Sequence, residues 1–332
     1  IKYATRRMCP WLGDENIKHS YAWVKGAAGP GVKVQVDKFM RDIKAEMEAH
    51  GVGGERLAVD FIDHNMVAGF AEHGISWIDA MQPMLVARAI KTKDEIACLR
   101  EIAAICDGAH YLISEWLKPG VRENEISAWT RKYFYEHPGV ENIVDIICSS
   151  GPNTWPNVRA FSDRIILPGD MVFVDLAGIQ FMGYNTCYYR TFCVGRDPTE
   201  EQRKGYQQAL KWLYDGIKEI KPGATTADVA SKWPSAKEAW GYEEEDVASA
   251  NLWGHGLGLA QYDIPMISRN FSLEHPVELK PGMFFAAETQ QGKMFEWGVR
   301  VEEEILVTEN GNEVVTKFPI EGITVCACTR QV

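Results

Sequence analysis

Four separated stretches of this chain set a residue type that can bind metal or carry a proton inside an apolar run. Residues 171–195 read MVFVDLAGIQFMGYNTCYYRTFCVG, which predicts two strands joined by a turn at Gly183, with Asp175 in the first and Cys187 in the second. Residues 251–265, NLWGHGLGLAQYDIP, place His255 among glycines, where backbone can approach closely. Glu288 ends an apolar strand in PGMFFAAETQQG, and Glu302 sits within the strand alternation of WGVRVEEEILVTENG. An ionised carboxylate in a buried strand is costly unless it is paired or bound to metal. Three acids and a histidine on separate strands therefore need a shared partner. A divalent cation is the natural one, and O/N donors suit Mn, Fe, Co or Zn.

The elements that must carry these residues follow from periodicity and punctuation. VDKFMRDIKAEMEAHG, residues 36–51, has helical apolar spacing and stops at Gly51. RLAVDFI then reads as a short strand, Asp63 to Gly74 as a helix, and Ser76 to Ala80 as a second strand. This alternation predicts a small α/β domain over residues 1–90, with the boundary near Arg88 to Thr92 and a larger domain over 91–332. A long helix begins near Lys93 and stops at Lys118-Pro119-Gly120. The larger domain holds an internal repeat. LKPGVRENEISAW (117–129) and IKPGATTADVASKW (220–233) each follow a long amphipathic segment and each precede a new helix. Two related halves facing each other create a cleft.

Composition narrows the classes of function. The chain has 332 residues, 46% of them hydrophobic, consistent with about two soluble domains. A net charge of -11 argues against nucleic-acid binding, which needs a concentrated basic surface. No apolar run approaches the ~18 residues of a membrane span, and Ile1 to Pro10 lacks the apolar core of a signal peptide. Eight cysteines without C-x-x-C pairing suggest a reducing, cytoplasmic setting, and Cys326 and Cys328 read as a frayed tail. The acidic run Glu243 to Asp246 reads as a solvated loop. The abrupt passage from IKYATRRM into CPWLGDENIKHSYAW suggests missing or shortened segments in the first domain.

These four stretches, carrying five candidate ligand positions in this order, resemble the pita-bread metallopeptidases of the creatinase, prolidase and methionine-aminopeptidase family, over roughly residues 36 to 318. The resemblance implies an α/β pita-bread fold with duplicated halves and a metal site. Asp175 matches the family's first Asp, His255 its metal histidine, Glu288 its first glutamate and Glu302 its bridging glutamate. Cys187, in GYNTCYYRTFCVG, stands where the family has a bridging Asp. A thiolate there can bridge two metals and favours softer ions such as Zn or Fe. Alternatively the change removes one metal position or both, or makes Cys187 a nucleophile. One or two cations per chain, of Fe, Mn, Zn or Co, are implied.

Departures from the family pattern bear on the substrate. The loop histidine after S-G-P-N is missing from SGPNTWPNVRAFSDR, where Asn157 and Val158 stand nearby. Asn251, Tyr262 and Asp263 occupy positions that are often His, His and Glu, and they become the candidate catalytic residues. Peptide hydrolysis needs electrophilic help at the oxyanion and a proton for the leaving amine, so these losses point away from peptides. They remove creatinase-type chemistry as well. The nearest branch resembles the dimethylsulfoniopropionate lyases in its S-G-P-x-T-x-P loop, in Arg56 to Asp60 and in Arg88 to Ile96. Those lyases keep the bridging Asp, and the position of their catalytic Asp is Gln261 here.

Trp155, Tyr184, Trp253 and Trp297, with Tyr262, are expected at the rim, where aromatic faces suit a cationic substrate group. Arg159 or Arg300 is a candidate clamp for a substrate carboxylate, although Arg190 and Arg300 also read as partners of buried acids. Three functions are open: a metal-dependent hydrolase or lyase acting on a small amino-acid-like molecule, an Xaa-Pro aminopeptidase or dipeptidase, and a non-catalytic binding module. The resemblance also implies a homodimer.

Overall fold

The computed structural model describes residues 6–19, 21–156, 160–248 and 252–328. Asn157, Val158, Arg159 and Asn251 lie outside the described residues. The chain divides into two compact units, Ile1–Met84 and Leu85–Val332.

In the first unit, helix α1 (Val32–Ala49) precedes strand β1 (Leu57–Val59), helix α2 (His64–His73) and strand β2 (Trp77–Asp79). Asp63 caps α2 by accepting the Met66 amide at 2.9 Å, and Gly74 ends it in the left-handed region. β1 and β2 pair in parallel, and Val36, Met40, Met47, Phe70 and Ile75 make a small core.

Helix α3 (Met81–Ala89) carries the chain across the division. The boundary falls before Arg88, not after it. The reason is local: Ile90 bridges Met283, the Lys91 amide donates to the Gly282 carbonyl at 2.9 Å, and Arg88 pairs with Asp263.

The second unit repeats one plan. Helix α4 (Lys93–Trp116) is capped by a reciprocal Thr92–Glu95 box and buries Leu99, Ile102, Ala103, Cys106, Ala109, His110 and Ile113 on one stripe. Its counterpart α6 (Glu200–Ile217) follows after α5 (Glu123–Tyr135), and α7 (Thr226–Ala230) corresponds to α5. The two K-P-G turns share their hydrogen bonding. Gly120 donates to the Ile166 carbonyl at 2.9 Å, and Ile166 returns a bond to Val121 at 2.8 Å. Gly223 donates to Leu279 at 3.0 Å, and Leu279 returns a bond to Ala224 at 2.7 Å. Both glycines have positive φ, 97° and 81°, which a side chain would strain. The repeat seen in the sequence is thus a repeat of backbone geometry.

Each half contributes a sheet. The first has the order β14-β8-β5-β4, with β4 Ile147–Ser150, β5 Met171–Asp175, β8 Tyr189–Val194 and β14 Thr324–Cys326. The second has the order β10-β9-β11-β12-β13, with β9 Leu252–Gly256, β10 Asp263–Ser268, β11 Phe284–Lys293, β12 Trp297–Thr308 and β13 Gly311–Val314. The stretch expected as two strands is four. Between β5 and β8, the hairpin β6 (Ile179–Phe181) and β7 (Tyr184–Thr186) turns at Gly183 and joins β3 (Val140–Asn142) in a separate sheet. Gly178, with φ of 64°, breaks the run after Asp175, so Asp175 ends β5 and Cys187 lies in the gap between β7 and β8. Among the described residues no helix is long and apolar enough to cross a membrane.

Candidate metal centre

Register brings the acids together. On adjacent antiparallel strands Glu288 of β11 lies directly opposite Glu302 of β12, and on the other side β11 pairs Ala286 with His255 of β9. Directly opposed like charges destabilise a sheet, so this pairing calls for a compensating positive charge. β9 can run this close because Gly254 and Gly256 have no side chain: a Cβ there would stand 2.7 Å from the Ala286 carbonyl and 2.5 Å from the Ile264 carbonyl. Asp175 comes from the other sheet, paired with Tyr189 of β8.

One ligand atom each from Cys187, His255 and Glu302 lies within 4.8 Å of the others, and all three residues are buried. Among the described residues no other three such groups converge this closely. Both Glu302 carboxylate oxygens, His255 Nε2 and Asp175 Oδ1 are buried without a hydrogen-bond partner. Buried polar atoms are nearly always satisfied, so the convergence of Cys187, His255 and Glu302 fits a bound cation. The donor set of thiol, imidazole and carboxylate fits a borderline divalent metal.

Electrostatics agree with the geometry. Burial raises Asp175 to about 6, against the pull of Arg300, and raises Glu288 to about 8. Burial first, then Glu288 and Asp175, push Glu302 well above the carboxylate range. Burial and the nearby acids also hold Cys187 as a thiol, and burial lowers His255 to about 4, so its ring is neutral. The carboxyl shifts mark sites where burial makes the ionised form costly.

The cluster opens on a cavity of about 670 Å³ lined by Asp175, Cys187, His255 and Glu288 together with Trp155, Trp253, Tyr262, Gln261, Gln290 and Arg300. The Tyr189 hydroxyl donates to Glu288 from behind the wall. The Arg300 guanidinium lies 4.7 Å over the Phe173 ring and 5.6 Å over Tyr189. Trp253, His255 and Tyr262 form a triangle of rings, at 5.1 Å, 5.8 Å and 4.7 Å.

One expected catalytic residue and two expected rim residues lie elsewhere. Asp263 does not line the cavity: its fully buried carboxylate accepts from Arg88 Nη2 at 2.9 Å and lies 3.7 Å from Lys91 Nζ. Tyr184 does not line the cavity: its hydroxyl donates to Glu95 at 3.3 Å and its ring packs on a core cluster that includes Leu99 and Phe284. Trp297 belongs to the core, stacked on α6, where a Cβ on Gly205 would come within 2.5 Å of its ring. Trp155, Trp253 and Tyr262 do face the cavity.

The acid at 304 was missed. Its carboxylate accepts the Cys187 amide at 3.0 Å and the Thr186 hydroxyl. The signal was present in Glu302-Glu303-Glu304, since strand alternation puts the first and third on one face. Glu303 points the other way and meets Arg190 at 2.8 Å, the structural pairing expected for that arginine.

The model of metallopeptidase family M24 matches residues 97–309, nearly the whole of the second unit. The chain belongs to metallopeptidase family M24. To an Xaa-Pro dipeptidase from Pyrococcus furiosus it is 33% identical over 231 residues, 69% of this chain and 64% of that protein. To an uncharacterized peptidase from Bacillus subtilis it is 31% identical over 236 residues, 71% of this chain and 64% of the relative. The matched stretch is thus under two-thirds of the length of these curated relatives. The solved prolidase from Pyrococcus furiosus superposes with a TM-score of 0.70 at 31% identity, covering 79% of this chain and 76% of that one. The M24 pita-bread fold accounts for the duplicated halves described above.

Proposed function

We propose that this chain is a metal-dependent hydrolase of a small dipeptide-like amide, of the Xaa-Pro type. The observation that carries the reading is the cluster of unsatisfied buried donors opening on a cavity whose wall holds both an arginine and aromatic rings. The dipeptidase names of the M24 relatives support this alternative over the lyase-like one.

Asp175, Cys187, His255, Glu288 and Glu302 are the residues that would hold the cation. When bound, such a cation polarises a carbonyl and activates water. The protein's own part is separable. Arg300 has no hydrogen-bond partner at Nε and lines the cavity, so its guanidinium is placed to take a substrate carboxylate. Trp155, Trp253 and Tyr262 cover the substrate body and exclude water.

A second reading is elimination from a small cationic acid. It is favoured by the aromatic wall, since His255 is the sole histidine among the described lining residues. It is disfavoured by Gln261, an amide that cannot act as a base.

The deciding experiment incubates metal-reconstituted protein with Xaa-Pro dipeptides and, separately, with a β-sulfonium propionate. Proline release supports the hydrolase. Elimination without proline release replaces it with the lyase, and inertness toward both with metal bound leaves a binding module.

A further inference from the structure

We propose that Cys187, His255 and Glu302 form a single-ion site selective for a thiophilic divalent cation, zinc in preference to manganese. This deepens the preceding proposal and rests on its reading of the cluster as a cation site. Three observations converge on it. First, the three donor atoms lie within 4.8 Å of one another, while Asp175 and Glu288 stand outside that convergence. Donors sit roughly 2.0 to 2.3 Å from zinc, so modest side-chain rotation brings this set onto one ion. Second, the Gly256 carbonyl stands 3.3 Å from His255 Nδ1, while Nε2 is buried without a hydrogen-bond partner. A carbonyl on one ring nitrogen, with the other left for the metal, is the usual arrangement of a ligating histidine. Third, Cys187 is fixed through its backbone. Glu304 accepts its amide at 3.0 Å and also the Thr186 hydroxyl, which pins the gap between β7 and β8 and sets the thiol beside Glu302.

The Tyr189 hydroxyl donates to Glu288. A second ion would have to draw on Asp175 and Glu288, which stand outside the convergence, and on a bridging sulfur. On binding, Cys187 gives its Sγ proton to solvent and the thiolate coordinates. Thiolate selects zinc, iron or cobalt over manganese and magnesium. Glu304 is a positioning residue in this scheme, because it touches Cys187 and not the reacting atoms.

The test uses the full chain, stripped of metal and refilled with Zn²⁺, Mn²⁺ or Co²⁺ in separate samples. We expect one equivalent of zinc per chain by elemental analysis, retained through desalting, with manganese lost. The cobalt form is expected to show a near-ultraviolet thiolate-to-metal charge-transfer band. That band should vanish in Cys187→Ser, and Cys187→Asp should gain manganese binding. Two equivalents in the unaltered protein, equal retention of manganese, or a cobalt form without the thiolate band would each overturn the proposal. If Cys187→Ser does not fold, stoichiometry and the band in the unaltered protein still decide it. None of these readouts depends on turnover, so an inactive protein with one zinc defeats the hydrolase reading and leaves the site assignment standing.

Discussion

The Arg88 guanidinium donates twice to one oxygen of the Asp263 carboxylate, from Nε at 3.2 Å and Nη2 at 2.9 Å, across 175 residues of chain. Lys91, buried alongside, adds a second positive charge at 3.7 Å. A carboxylate held this way is a strut beneath the loop that carries Gln261 and Tyr262, and it is not free to act as a base. Asp263→Asn should lower stability by about 3–5 kcal/mol, the usual cost of leaving a buried partner charge unpaired. Urea unfolding checks the loss. Turnover per folded, metal-loaded molecule should fall far less than catalysis by Asp263 would require.

Glu288→Gln should behave in the opposite way. The change removes one of two directly opposed carboxyls, so the metal-free protein should be no less stable than the unaltered one. Turnover of the metal-loaded form should fall, because the change removes a carboxylate from the wall of the centre. Thermal melts and steady-state rates on the same preparations separate the two effects.

Stability of the metal-free protein should decline with rising pH. Glu288 and Glu304 are each held near 8 and Glu302 well above its ordinary value, chiefly by burial. Unfolded glutamates titrate near 4.3, so the folded state binds more protons across the interval between. The contribution is complete below the unfolded values and is lost as pH rises through the folded ones. His255, lowered to about 4, acts oppositely, but only below roughly pH 6.5. Melting temperature should therefore drop between about pH 6.5 and 8.5. Zinc should flatten that slope, because the cation compensates the same carboxylates. A metal-free protein that gains stability over this range would contradict the assignment.

Trp155 and Trp297 offer a matched pair. Trp155 faces the cavity and Trp297 the core. Trp155→Ala should raise KM with a smaller change in kcat. Trp297→Ala should cost about 3–5 kcal/mol of stability, as for a large core aromatic, and leave KM of the folded protein unchanged.

The burial of these candidate ligands was legible in the sequence because an acid or imidazole inside an apolar strand is expensive and must have a reason. Asp175, His255, Glu288 and Glu302 announced themselves in that way. The K-P-G repeat was legible because a helix stop with positive φ restricts the residue to glycine. Asp263 was misread because neighbours in sequence suggested a site role, while its partners Arg88 and Lys91 are joined to it only by tertiary folding. Trp297 was misread for a related reason: no periodicity announces that a glycine on a distant helix leaves space for an indole. The turn at Gly183 was legible, but the separation of β6 and β7 from β5 and β8 was not, because only the conformation of Gly178 shows that the chain leaves the sheet.

The three consecutive glutamates of β12 also proofread the strand's alignment. Glu302 and Glu304 face the metal cluster and the Cys187 backbone, while Glu303 meets buried Arg190 on the opposite face. Sliding β12 by one residue would exchange the two faces. Arg190 would then confront two carboxylates, and the cluster would keep only one. Because both faces are buried, the error could not be relieved by solvent on either side. Convergence of Cys187, His255 and Glu302 and alignment of the sheet are thus a single event: a chain paired one residue out of register would lose both together.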